Sequence, residues 1–156
     1  MFEISNKVLV HDELAMKLED PRSGAMVFFD GRVRNHNEGH QVNSLEYQCY
    51  ESMAIREGKK IIQEALNKFQ IHDAFCVHRE GHLKIKEVAV WVGVCSSHRK
   101  EAFEACQYII DEVKLRVPMW KKEHYVNRPA EWVECHRCSE KNSTVHSHKQ
   151  EEDSHV

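Results

Sequence analysis

Residues 87–95 read Glu-Val-Ala-Val-Trp-Val-Gly-Val-Cys. After Glu87 the run carries no charged side chain, and valine recurs at 88, 90, 92 and 94. A strand with one wet face alternates apolar and polar residues, and this one does not. It therefore reads as a central strand, covered on both faces, inside a sheet. Such a strand needs a neighbour on each edge and a packed layer over each face, and the flanking sequence supplies candidates for both.

Immediately downstream, 97–116 has helical spacing, with Phe103, Cys106, Ile110, Val113 and Val117 on one stripe. Ser96 or Ser97 stands where an N-cap belongs, and Pro118 ends the helix because the residue before a proline disfavours the helical region. Upstream, 51–69 is a second helix, with Ala54, Gly58, Ile61, Ile62, Ala65, Leu66 and Phe69 on its stripe. Residues 24–34 read as a strand with Gly31 as a bulge, 35–41 as a polar loop and 42–50 as a strand, so these two strands are expected to pair as a hairpin. Short strands follow at 74–79, 83–85 and 120–125, with a turn at Gly81. A short helix over 12–19 is closed by Asp20-Pro21-Arg22-Ser23-Gly24. Strands and helices alternate in packets, which predicts an α+β or mixed α/β class in two layers.

A chain of 156 residues fits one domain. That domain is expected over 1–134. From Cys135 the sequence becomes CHRCSEKNSTVHSHKQEEDSHV, polar and without periodicity, and 135–156 reads as a disordered tail. A net charge of −3 indicates no general affinity for nucleic acid or an anionic membrane, so any anion site must be built locally. The longest apolar runs fall far short of the roughly 20 residues that span a bilayer. The first residues lack the pattern of a signal peptide. Of six cysteines, Cys49, Cys76, Cys95 and Cys106 sit inside apolar patterns suited to buried free thiols, so a reducing cytoplasm is the expected compartment.

Four stretches carry candidate chemistry. Gly31-Arg32-Val33-Arg34-Asn35-His36-Asn37 puts two arginines at the mouth of a loop, where their forks suit phosphate or carboxylate, or simply solvate a strand end. His98, Arg99 and Lys100 occupy the start of a helix, the end whose partial positive charge favours acidic residues. Either they point to solvent at a small cost, or an anion bound there meets backbone N–H groups and basic side chains together.

The third stretch is Lys114-Leu115-Arg116-Val117-Pro118-Met119-Trp120-Lys121-Lys122-Glu123. Lys114 near a helix C-terminus complements the dipole. The turn at Pro118 and three extended residues, roughly 10 Å of chain, also allow Lys121 to return beside it. On an extended segment Lys121 and Glu123 share a face while Lys122 points the other way. Two ammonium groups held close would lower each other's proton affinity. The fourth, Cys135-His136-Arg137-Cys138 with His146 and His148, has a second pair too closely spaced for a closed zinc site and reads as part of the polar tail.

In order along the chain, GAMVFFDGRVRNHNEG, SLEYQCYESMA, HREGHLKIKEVAVWVGVCSSHRKEAFEAC, DEVKLRVPMWKKEHY and EWVE resemble the large, catalytic subunits of molybdopterin synthases over roughly residues 3–134. The resemblance implies an α/β hammerhead fold, a two-layer mixed sheet with two long helices and a small β subdomain. It implies a sulfur transferase that converts cyclic pyranopterin monophosphate into molybdopterin. The sulfur would come from the thiocarboxylated C-terminal Gly-Gly of a small ubiquitin-like subunit. It further implies a homodimer within a heterotetramer, and a step that needs no cofactor or metal of its own.

By motif, Lys114 and Lys121 correspond to the active-site lysines. Lys114 would stabilise charge developing at the sulfur, and Lys121 would orient the donor tail or move protons. Arg32, Arg34, His98, Arg99, Lys121 and Glu123 correspond to substrate-binding positions, in a pocket that draws on both subunits of the dimer. Lys100 has no counterpart and is left to solvent. The sequence ends Asp153-Ser154-His155-Val156 without Gly-Gly, so the sulfur donor is expected in trans. Two rival readings stand beside the enzyme. One is a non-catalytic paralogue that binds the ubiquitin-like partner. The other is a generic phosphate binder, which would have to work without a glycine-rich loop.

Overall fold

A computed structural model describes residues 1–134, and the tail with its Cys135-His136-Arg137-Cys138 stretch lies outside the described residues. The run quoted above forms β7 (Val88–Ser96), an interior strand of a four-stranded sheet. Its neighbours are β5 (Asp73–Arg79) and β2 (Ala25–Arg32), both antiparallel to it. β1 (Phe2–Ser5) adds a parallel edge on the far side of β5.

One face of β7, with Val90, Val92 and Val94, packs on α2 (Glu51–Lys68) and α3 (Arg99–Arg116). The other face, with Trp91 and Cys95, packs on Leu9, Leu14 and Leu18 around the short α1 (His11–Met16). The absence of a polar alternation in the sequence thus has its cause in two buried faces. Arg116, at the end of α3, ties the two long helices together, with ion pairs to Glu57 at 2.9 Å, Glu64 at 2.6 Å and Glu112 at 3.2 Å.

The second sheet, of five strands, is a separate unit. β4 (His40–Cys49) lies at its centre, flanked by β6 (Gly81–Lys84) and β8 (Met119–Tyr125), with β9 (Glu131–Glu134) outside β8. The two-residue β3 (His36–Asn37) folds back on the start of β4. Val33, Val42, Leu45, Leu83 and Ala89 form the core between this sheet and the first. The result is the mixed α+β architecture of two long helices, one mixed sheet and a small β subdomain.

Several local expectations give way. The strands before and after the 35–41 loop do not form a hairpin: β2 pairs with β7, and β4 with β6 and β8. The doubly buried β7 needs a partner on each edge, and β2 is recruited there. The chain leaves that sheet at the bulge between Gly31 and Arg32, and Val33 then crosses over, hydrogen-bonded to the backbone of Glu87 and Lys86. Neither serine caps α3. The N-cap position is His98, with no side-chain cap, because the Ser96 hydroxyl donates to the His98 carbonyl instead. Phe103 is 61% exposed, since α3 turns Ala102, Ala105, Cys106 and Ile109 to the sheet. α1 is only six residues long. Cys49, Cys76, Cys95 and Cys106 are free thiols, Cys49 being only partly buried. Among the described residues no helix is long and apolar enough to cross a membrane.

Candidate functional site

The end of α3 and the turn into β8 set up the site. Val117 leaves the helical region (φ −75°, ψ 121°) ahead of Pro118, and β8 runs back along β4 with Tyr47 opposite Lys121 and Leu45 opposite Glu123. A cavity of about 290 Å³ opens there. Ala89, Val90, Ile110, Val113 and Met119 form its apolar wall, and Arg32, Arg34, Lys114 and Lys121 line it with positive charge. A second cavity of about 250 Å³ shares those four basic residues with Asn37 and Tyr47, and adds His36 and Glu123. Lys114 and Lys121, seven residues apart in sequence, therefore line the same space.

The strand alternation is as the spacing predicts. Lys121 Nζ lies 3.1 Å from Glu123 Oε1 on one face, while Lys122 turns away over the Trp132 ring at 5.5 Å. Glu123 is 1% exposed and fully partnered: the Asn37 side-chain amide donates to Oε1 at 2.7 Å, and the Tyr125 hydroxyl donates to Oε2. Burial pushes its carboxyl up, but the bonds from Tyr125 and Asn37 and the charge of Lys121 outweigh this and hold it below its ordinary value. One buried carboxylate thus fixes the loop carrying Asn37, the strand β8 and the Lys121 ammonium together.

Arg32 is held by Asp30, with Nε to Oδ1 at 2.9 Å and a second bond at 3.1 Å. The side chains of Arg34 and Lys114 make no hydrogen bond or ion pair among the described residues, so both heads are available to a ligand. His98 and Arg99 are exposed at the opposite end of α3. Eighteen helical residues at 1.5 Å each separate the two ends by about 27 Å. Within one chain they do not join the cavity.

Sequence reasoning missed His78, which is 8% exposed on the cavity wall. Its Nδ1 lies 2.9 Å from the Arg79 carbonyl, and the Tyr47 ring stands edge-on to it at 5.1 Å. Burial lowers its pKa to about 4; the bond to Arg79 opposes this and the Lys114 charge adds to it, so the ring is neutral at physiological pH. The signal was a polar side chain inside the apolar run Ala-Phe-Cys-Val-His. Asn37 and Tyr125, the partners of Glu123, were also passed over.

Fold and cavity together define an α+β protein with a basic, apolar-backed cavity. The family model described as MoaE protein matches residues 4–116. The molybdopterin synthase catalytic subunit of Pyrococcus abyssi is 46% identical over 112 residues, which is 72% of this chain and 76% of that one. The chain belongs to the MoaE family, and it is an enzyme of molybdopterin biosynthesis. The crystal structure of molybdopterin synthase from Staphylococcus aureus superposes with a TM-score of 0.80 at 34% identity, covering 85% of this chain and 96% of that one. A protein–protein complex of subunits 1 and 2 of the molybdopterin-converting factor from Helicobacter pylori contains the same fold, with a TM-score of 0.66 at 21% identity over 81% of this chain and 86% of that one.

Proposed function

We propose that this chain transfers sulfur from the thiocarboxylated C-terminal Gly-Gly of a small ubiquitin-like carrier to cyclic pyranopterin monophosphate, forming the dithiolene of molybdopterin. The observation that carries the reading is that Lys114, Lys121, Arg32 and Arg34 line one cavity with an apolar wall. A flat heterocycle fits the wall, and the basic rim fits its cyclic phosphate. In each transfer the bond between the carrier's acyl carbon and sulfur breaks and water returns the carrier as a carboxylate, while sulfur replaces an oxygen on a side-chain carbon of the pterin. At one carbon that oxygen leaves as water, and at the other it stays on the phosphate as the cyclic ester opens. The Lys114 ammonium stabilises negative charge as it develops at the reacting centre. Lys121, anchored on Glu123, orients the carrier tail and relays protons.

His98 and Arg99 enter this scheme from a second copy of the chain, in a homodimer that carries one small subunit at each end. The reducing cytoplasm suits the four free thiols. Residues 1–134 are the catalytic domain and 135–156 an appendage the chemistry does not need. The decisive measurement mixes the purified chain with thiocarboxylated carrier and pterin precursor and follows molybdopterin as its oxidised fluorescent derivative. Product from the wild type and none from Lys114→Ala, with carrier binding retained, is the expected result. No product from the wild type would sink the reading, and full activity in Lys114→Ala would remove that residue from its role.

A further inference from the structure

Arginine and lysine only donate hydrogen bonds, and four of them line the 290 Å³ cavity, whose one carboxylate acceptor, Glu38, stands on the exposed turn after β3. A pterin, however, presents donors of its own: a ring N–H and an exocyclic amine. Something on the apolar side must accept from them, or their burial is penalised. His78 is the buried polar side chain there, in register beside Val90, with Ala89, Ile110 and Val113 on the same wall. The Arg79 carbonyl can only accept, so the hydrogen of the imidazole sits on Nδ1. Nε2 is then a lone pair. It makes no hydrogen bond among the described residues and is not among the buried atoms sealed off without a partner, so it keeps access to the cavity. The edge-on Tyr47 ring and the Nδ1 bond fix its direction before any ligand arrives.

We propose that His78 Nε2 accepts a hydrogen bond from the amino-pyrimidine edge of the pterin and so sets which edge of the substrate enters the slot. His78 is a substrate-binding and specificity residue. The inference rests on the pterin reading above and adds to it the residue that reads the heterocycle.

The test is steady-state turnover by the complete complex with thiocarboxylated carrier, varying each substrate in turn for His78→Phe, His78→Asn and His78→Gln. Phenylalanine keeps the ring and removes both nitrogens. Asparagine keeps a donor for the Arg79 carbonyl but offers nothing at the Nε2 position, whereas glutamine reaches that position. The KM for the pterin precursor should rise about tenfold in the first two variants and return to within about threefold of wild type in the third, with the KM for carrier unchanged throughout. Should His78→Phe fail to fold, the asparagine and glutamine pair still decides. An active wild type whose precursor KM moves less than twofold in His78→Asn overturns the His78 assignment and leaves the sulfur-transfer reading standing. So does an equal loss toward both substrates, the mark of a merely structural residue. An inactive wild type overturns the sulfur-transfer reading itself, and the His78 assignment with it.

Discussion

Glu123 is a buried carboxylate at the edge of a cavity rich in positive charge, and its position there has a thermodynamic consequence. A buried anion is tolerated only when its oxygens are partnered, and those of Glu123 receive bonds from Asn37, Tyr125 and Lys121. Its pKa in the folded chain lies below the ordinary 4.5, so the stability it contributes is fully present above that value. That contribution is lost as pH falls through the folded pKa. Glu123→Gln keeps the shape, removes the charge, and places an NH₂ opposite a donor. We expect it to lose about 1–3 kcal/mol at pH 7, the cost of weakened charge-assisted bonds and one mismatched donor. Urea midpoints should show that gap at pH 7 and a narrower one at pH 4. An equal gap at both values would mean that shape, not charge, is what Glu123 supplies. Activity should fall too, through Lys121, which loses its anchor. Lys121 and Glu123 were legible in the sequence because strand alternation alone puts i and i+2 on one face. Asn37 was not, because nothing local in the 35–41 loop aims an amide at a residue 86 positions away.

At the scale of elements, the junction of α2 with β1 shows how little slack the core has. Glycine inside a helix normally costs about 1 kcal/mol relative to alanine, so Gly58→Ala would ordinarily stabilise α2. Here a Cβ at position 58 would stand 2.2 Å from the Phe2 ring, which is itself buried. The ring must move, and β1 with it. We expect a net loss of about 1–3 kcal/mol from overpacking, read as a lower urea midpoint, and partial recovery when Phe2→Leu is added. A Gly58→Ala variant more stable than wild type would show that β1 yields at no cost. Gly58 on the buried stripe was readable from helical spacing, but its reason was not, because β1 pairs with a strand more than 70 residues away. The failed hairpin has the same origin. Two strands joined by a short polar loop look like local partners, yet the unmet edge of β7 takes β2 away. The long elements were legible from periodicity, whereas β1, β3 and β9, of four, two and four residues, are too short to show any and were not read. The pairing of the strands, and with it His78 opposite Val90, depended on sequence-distant competition for the edges of one apolar strand.

At the scale of the molecule, the two halves of the substrate site read from sequence sit at opposite ends of α3. Lys114 lines the cavity, while Arg99 and His98 stand 15 and 16 residues before it, about 22–24 Å away along the same helix. A rigid helix cannot close that gap. If both sets act on one substrate, a two-fold symmetric dimer must bring the start of one α3 to the end of the other. The arrangement predicts intragenic complementation. Lys114→Ala and Arg99→Ala should each be severely impaired alone. Co-expressed, they form mixed dimers in which one site carries both defects and the other carries neither. Random pairing makes half of the dimers mixed, with one intact site in two, so turnover should recover to roughly a quarter of wild type. A site built within one chain leaves every site in the mixture with a defect, and activity stays at the level of the single variants. Restored activity would therefore place Arg99 across the interface, background activity would confine the site to one protomer, and an Arg99→Ala variant with full activity alone would return His98 and Arg99 to solvent.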